Sequence, residues 1–332
     1  MASRQPRSRP RTRRLFTGPR GARALLAALV IAAVTVPLSG AARPSAVPAP
    51  APAALAPLRA TPAALDERYA TNRGSIRAAE RMATGHGDRK RAAALRELAD
   101  PARHFLSFDG REGGRGVEVF GDLSTARRIA VLVPGAGITV DKYWRLRAGG
   151  VALQRQLGEA SAVIGWLGYA TPATVSPEAV TSGLAEHAAP ELRAFLDELQ
   201  KSKPSARITL LCHSYGSVVC AKAASGLEVA GIVLYGSPGT GARNVAALHT
   251  QATVWAGRGG SDWIADVPHE QLRLPHLTLG FGTDPVSPGF GGRHFAAGDG
   301  GHSDYLKPDS LSLKNLARIV SGRSPAEEGR HA

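Results

Sequence analysis

The stretch LLCHSYGS (210–217) sets Ser214 directly after an apolar run and two positions before Gly216. A serine hydroxyl is a weak nucleophile by itself. It needs a neighbouring base to take its proton, a third group to orient that base, and N–H donors for the oxyanion that develops on a carbonyl substrate. An apolar strand that turns sharply into a helix through small residues is the setting that exposes such a serine. Cys212 stands where the usual G-x-S-x-G turn has its first glycine, and it is still a small residue. An ordinary polar residue ending a strand would look the same, so the assignment depends on finding the other parts.

Each part has a candidate. VLVPGAG (131–137) is an apolar strand followed by a glycine turn, and the backbone N–H of Ala136, with that of Tyr215, forms the candidate oxyanion-binding pair. A chemically idle glycine turn fits the same letters. No Asp or Glu occurs between Gly236 and Gln251, which excludes an acid directly after VAGIVLYG (229–236). After ATVWAG (252–257) the first acid is Asp262, in RGGSDWI; Asp266 is the rival. Asp262 is preferred because a short loop from a strand end reaches a histidine best. His302, in GGHSDYL, has flexible glycines before it and a helix soon after, with His294 as the second choice.

These residues need a scaffold. RHFLSF (103–108) and GVEVF (116–120) are strand-like around a Gly-rich turn and predict a hairpin. From Arg128 onward, apolar strands alternate with helices: IAVLVPG, a helix over 143–157, AVIGWLG (162–168), a long helix opened by Pro177 and Glu178, RITLLCH (207–213), a helix from about 216, VAGIVLYG, ATVWAG, HLTLGFG (276–282) and a final helix over 310–321. Continuous apolar strands are what burial on both faces requires. The expected class is α/β: an α/β-hydrolase fold, with a mostly parallel sheet, an antiparallel N-terminal hairpin and helices on both faces. The order of oxyanion loop, serine, acid and histidine is the order that fold uses.

The formal charge of +14 first suggests nucleic acid, but residues 1–46 hold nine Arg and no Lys, Asp or Glu. Removing them leaves 32 basic against 27 acidic residues, about +5. A basic stretch (4–23), an apolar run (24–36) and small residues at 39–42 make an export signal, with TRRLFT (12–17) resembling a twin-arginine motif; Sec export and a retained anchor are the alternatives. The expected organisation is a signal over 1–42, an Ala/Pro-rich, extended and poorly ordered linker over 43–62 and a helical segment over 63–102. A hydrolase domain over 103–322 and a disordered tail over 323–332 follow. The protein is expected to be secreted or in the cell envelope.

FLSFDGREGGRGVEVFGDLSTARRIAVLVPGAG, CHSYGS, SDWI and GHSDYL followed by SLKNLARIV resemble a family of actinobacterial α/β-hydrolase proteins marked by a GHSYGS elbow and catalogued as a domain of unknown function. The resemblance spans roughly 103–322. It implies the α/β-hydrolase fold and maps a triad onto Ser214, Asp262 and His302, while Cys212 departs from the family's glycine. It supplies no substrate. Cys212 and Cys220 sit at similar depth if the helix after Ser214 runs back along its strand, which allows either a disulfide or two buried thiols.

The expected function is an exported serine hydrolase that cleaves an ester, thioester or amide through an acyl-enzyme. A cell-envelope acyltransferase with the same triad and a non-catalytic binding protein on this scaffold are the alternatives. The expected partner is a small-molecule or lipid-like acyl substrate, with no nucleic acid and with possible envelope association. No cofactor or metal is expected, because no Cys/His cluster has ligand spacing. Gly282–Gly301 is the candidate mobile wall of the site. Tyr143, Trp144, Phe290 and Phe295 are candidates for an acyl pocket, although packing is the commoner role for each.

Overall fold

A computed structural model describes residues 47–274 and 277–326. The expected signal (1–42), residues 43–46 and residues 327–332 lie outside them. Helix α1 (Pro62–Gly85) starts after an extended Thr61, with Pro62 supplying a φ already suited to a first helical position. Helix α2 (Arg89–Leu98) is capped by Asp88, whose carboxylate accepts from the Arg91 N–H. Both helices pack together, and α1 also packs on β1 (His104–Asp109), which forms the expected antiparallel hairpin with β2 (Arg115–Phe120).

The chain then alternates: β3 (Arg128–Val133), α3 (Trp144–Leu157), β4 (Ser161–Leu167), α4 (Gly183–Ser202), β5 (Arg207–His213), α5 (Gly216–Ala223), β6 (Gly231–Tyr235) and β7 (Thr253–Gly257). A two-stranded hairpin of β8 (Leu272–Leu274) and β9 (Leu277–Leu279) follows, then the short β10 (Arg293–His294) and α6 (Leu311–Val320). The main sheet has the order β1-β2-β4-β3-β5-β6-β7-β10. Its strands from β4 through β10 are parallel, and β2 meets β4 antiparallel.

Strand parity explains the apolar runs. Ile129, Val131 and Val133 of β3 face a core with Leu192, Leu196 and Leu199 of α4 and Val218 and Val219 of α5. Ala130 and Leu132 face the other core, with Leu146 and Leu153 of α3 and Leu313 and Leu316 of α6. Both faces are dry, so every position of the strand must be apolar. The α/β-hydrolase expectation therefore holds for the sheet, its hairpin and its two helical layers.

Four local expectations are corrected. HLTLGFG does not join the main sheet. Among the described residues its β9 pairs with β8 alone, while Gly280 N–H donates to Val180 O and Phe281 O accepts from Gly241 N–H, so nearby loops engage its backbone. Arg293 and His294 take the free edge of β7 instead, anchored by Phe290 in one core and Phe295 in the other. The long helix opens late: Pro177–Val180 is a 3-10 turn, and the extended Thr181 (φ −124°, ψ 157°) separates it from α4. The Ala/Pro-rich segment is not free over 47–60, because Leu58 is buried and its N–H donates to Glu198. Residues 323–326 are likewise tied down, since Ala326 exchanges two hydrogen bonds with the Asn315 side chain.

Candidate active site

Ser214 follows β5 at the turn into α5, with φ +52°. Positive φ is uncommon for a residue with a Cβ and is retained where the surroundings over-determine it. Here the Ser214 N–H donates to Tyr235 O, and Ser217 N–H donates back to Ser214 O, closing the turn. Two glycines let β3 and its loop come close. A Cβ on Gly216 would lie 2.4 Å from Val133 O, and one on Gly135 would lie 2.6 Å from the Ser214 Cβ. The loop after β3 is thereby pressed against the elbow, which brings Ala136 next to it. Among the described residues, the N–H groups of Ala136 and Tyr215 donate to no protein acceptor, so both are free to receive an oxyanion.

Cys212 takes its place through a disulfide. It bonds to Cys220 of α5 across a Cα–Cα distance of 6.4 Å, and both side chains are fully buried. Where a glycine would let the helix touch the strand, the two sulfurs fill the gap and join the elements covalently. Closing a loop this short stabilises by about 2.5 kcal/mol on the chain-entropy account.

His302 and Asp262 complete the arrangement. His302 Nε2 is 3.0 Å from Ser214 Oγ, and its Nδ1 is 2.9 Å from Asp262 Oδ1. A carboxylate only accepts, so Nδ1 carries the proton and Nε2 presents its lone pair to the serine O–H. Asp262 Oδ1 also accepts from Ile264 N–H, and Oδ2 accepts from the Tyr305 hydroxyl. Burial by itself would push the Asp262 carboxyl up. The hydrogen bonds from His302, Tyr305 and Ile264 N–H, with the attraction to His302, hold it below the ordinary carboxylate value instead.

His213, immediately before the serine, had no assigned role in the sequence. Its Nε2–H donates to His302 O at 2.8 Å, and its ring packs on His302, Tyr235 and Tyr305. Burial, reinforced by the nearby His302, lowers its pKa to about 4. The unfolded value is ~6.5, so between the two the unfolded chain binds more protons. The stability this neutral ring contributes is present above pH ~6.5 and is lost as pH falls toward 4, up to about 3 kcal/mol in all. His213→Gln keeps a donor but cannot titrate. The melting temperature of the variant is expected to fall less than that of the wild type between pH 7 and 4.5, and equal slopes would contradict the assignment.

The rival residues go elsewhere. Asp266 is exposed in the 3-10 turn after Asp262, and His294 is exposed on β10. Tyr143, Phe290 and Phe295 are buried in the cores and do not form the expected acyl pocket, and Trp144 is exposed at the start of α3. Gly282–Gly301 is threaded into the fold by those phenylalanines and β10. A half-exposed aromatic at the site is Trp263, with its ring 4.8 Å from the His302 imidazole. A cavity of about 570 Å³ lies apart from all of this, between α1, β2 and α3, with Tyr69, Glu118 and Arg147 in its wall. The described residues hold no cluster of His, Cys, Asp and Glu suited to a metal ion.

Residues 109–272 match the alpha/beta hydrolase family model. An uncharacterized protein of Mycobacterium tuberculosis is 30% identical, with the match covering 67% of this chain and 39% of that protein. A second from the same organism is 32% identical over 47% of this chain and 66% of its own length. The chain thus spans about two fifths of the length of the first relative. Among solved structures, an a/b serine hydrolase without lid from Xanthomonas campestris is similar at 17% identity and a TM-score of 0.42, over 69% of this chain and 98% of that one. Esterase LipW from Mycobacterium marinum is similar at 16% identity and a TM-score of 0.40, over 75% and 88%. The sheet order and the family match agree: the chain has the α/β-hydrolase fold, and its residues 109–272 are those that match the alpha/beta hydrolase family.

Proposed function

We propose that the protein is a serine hydrolase acting on an ester, thioester or amide through an acyl-enzyme. The observation that carries this is one continuous relay: Ser214 Oγ to His302 Nε2 at 3.0 Å, and His302 Nδ1 to Asp262 at 2.9 Å, with the serine held at φ +52°. His302 Nε2 takes the serine proton as Oγ bonds to the substrate carbonyl carbon. The tetrahedral oxyanion receives the N–H groups of Ala136 and Tyr215. The intermediate collapses, the bond to the leaving group breaks, and His302 returns the proton to that group. Water then attacks the acyl-enzyme, giving its proton to His302, and Ser214 recovers it as the acid departs. No cofactor enters these steps. The half-exposed indole of Trp263 offers an apolar surface beside the base. Hydrolysis of a panel of p-nitrophenyl esters, thioesters and amides tests the proposal. Product analysis with added alcohols separates hydrolysis from acyl transfer.

The Cys212–Cys220 disulfide supports the export expected from the leader, because disulfides persist in oxidising compartments. Cleavage is expected after Ala41 or Ala46, so N-terminal sequencing of secreted protein is expected to start at Ala42 or Val47, and an intact N-terminus in the membrane fraction would favour an anchor.

A further inference from the structure

The loop that carries His302 reaches Asp262 a second time. Three residues on, Tyr305 is buried to 3% exposure, and its hydroxyl is 2.5 Å from Asp262 Oδ2. The same hydroxyl accepts from Gly259 N–H at 3.0 Å. A tyrosine has one hydroxyl proton. With Gly259 N–H aimed at the oxygen, that proton is directed at the carboxylate. Burial first, and the negative Asp262 next, push the Tyr305 phenol far above its ordinary value, so it remains a donor throughout the working range.

The consequence for Asp262 is geometric. Its side chain is completely buried. His302 and Ile264 N–H satisfy Oδ1, whereas among the described residues Tyr305 is the donor to Oδ2. A carboxylate held on one oxygen can rotate about its last torsion; one held on both cannot. Tyr305 is itself fixed by Tyr235, with ring centroids 5.2 Å apart, and by His213 at 5.8 Å. The turn between base and phenol is pinned by Asp304, whose carboxylate accepts from Gly301 N–H while its own N–H donates to Gly301 O. One turn therefore supplies both side-chain partners of the carboxylate at a fixed spacing.

We propose that Tyr305 is a positioning residue: it locks the Asp262 carboxylate through Oδ2, so that Oδ1 holds the His302 imidazole in the tautomer and plane that face Ser214. The proposal rests on the hydrolase function above and adds to it a residue outside the triad. Because the effect passes through Asp262, it must vanish when Asp262 can no longer act as a carboxylate. That requirement separates positioning from mere support of the fold.

The test is a double-mutant cycle read in kcat and KM on a p-nitrophenyl ester. Tyr305→Phe is expected to lower kcat by about ten- to a hundredfold with KM nearly unchanged. In an Asp262→Asn background the same change is expected to cost less than about threefold. Equal losses in both backgrounds, or full kcat in Tyr305→Phe, would overturn the positioning role. If that happened while Ser214→Ala was inactive, the hydrolase proposal would stand; an active Ser214→Ala would overturn both. Should Tyr305→Phe fail to fold, 3-fluorotyrosine at 305 keeps the shape and the hydroxyl but strengthens the donor. It draws charge from the carboxylate that faces the imidazole, with His213 and Arg258 as the other ionisable groups close by. The acid side of the kcat/KM profile is then expected to move to lower pH, and an unmoved profile would overturn the proposal.

Discussion

Ser214→Ala is expected to lower kcat by about 10⁶-fold and to leave the fold in place. The size follows from the role. Every bond change in the proposed cycle passes through Oγ, and the His302–Asp262 pair is aimed at that one atom. The residual rate would come from the oxyanion donors and substrate binding. Stability should change little, because alanine keeps a Cβ at the same positive φ, and the turn is closed by backbone bonds of residues 214 and 217 rather than by the hydroxyl. Turnover and melting temperature, measured together, check both halves. Wild-type turnover in the alanine variant would remove the nucleophile.

The second large effect belongs to the base and the acid. His302→Ala is expected to cost about as much as the loss of Ser214, since the two act as one unit. Asp262→Asn is expected to cost less, on the order of 10⁴-fold in kcat, because an amide that donates toward Nδ1 favours the wrong imidazole tautomer. His294→Ala and Asp266→Asn are the controls. Both residues are exposed and outside the relay, and each variant is expected to stay within about tenfold of wild type. An inactive Asp266→Asn beside a mild Asp262→Asn would reassign the acid and leave the hydrolase proposal intact. If neither histidine change lowered kcat, the mechanism would fail.

The candidate site was legible where chain order and residue type coincide. Ser214 precedes a helix after an apolar strand, Asp262 is the first acid after β7, and His302 lies between the last strand and the last helix; the structure brings these three together. The continuous apolar runs likewise pointed to the doubly covered sheet. What escaped depends on contacts that spacing does not encode. His213 and Tyr305 stand beside motif residues, but their roles come from a ring stack and a hydroxyl that meet only in three dimensions. The disulfide was one of two open possibilities, because sequence fixes neither the turn of α5 nor its approach to β5. HLTLGFG has the composition of a sheet strand, yet RH, which has none of it, holds the edge because Phe290 and Phe295 anchor it on opposite faces. Tyr143 and Phe290 carry the apolar character of a pocket wall and of a core alike, and tertiary packing puts both in the core.

The most direct test of the central claim is mass mapping after treatment of the folded protein with a fluorophosphonate, which bonds covalently to a serine activated by an adjacent base. One adduct per chain is expected, on the peptide that contains Ser214, and none in Ser214→Ala or His302→Ala. An adduct on another residue, or no adduct on protein shown to be folded, would contradict the claim.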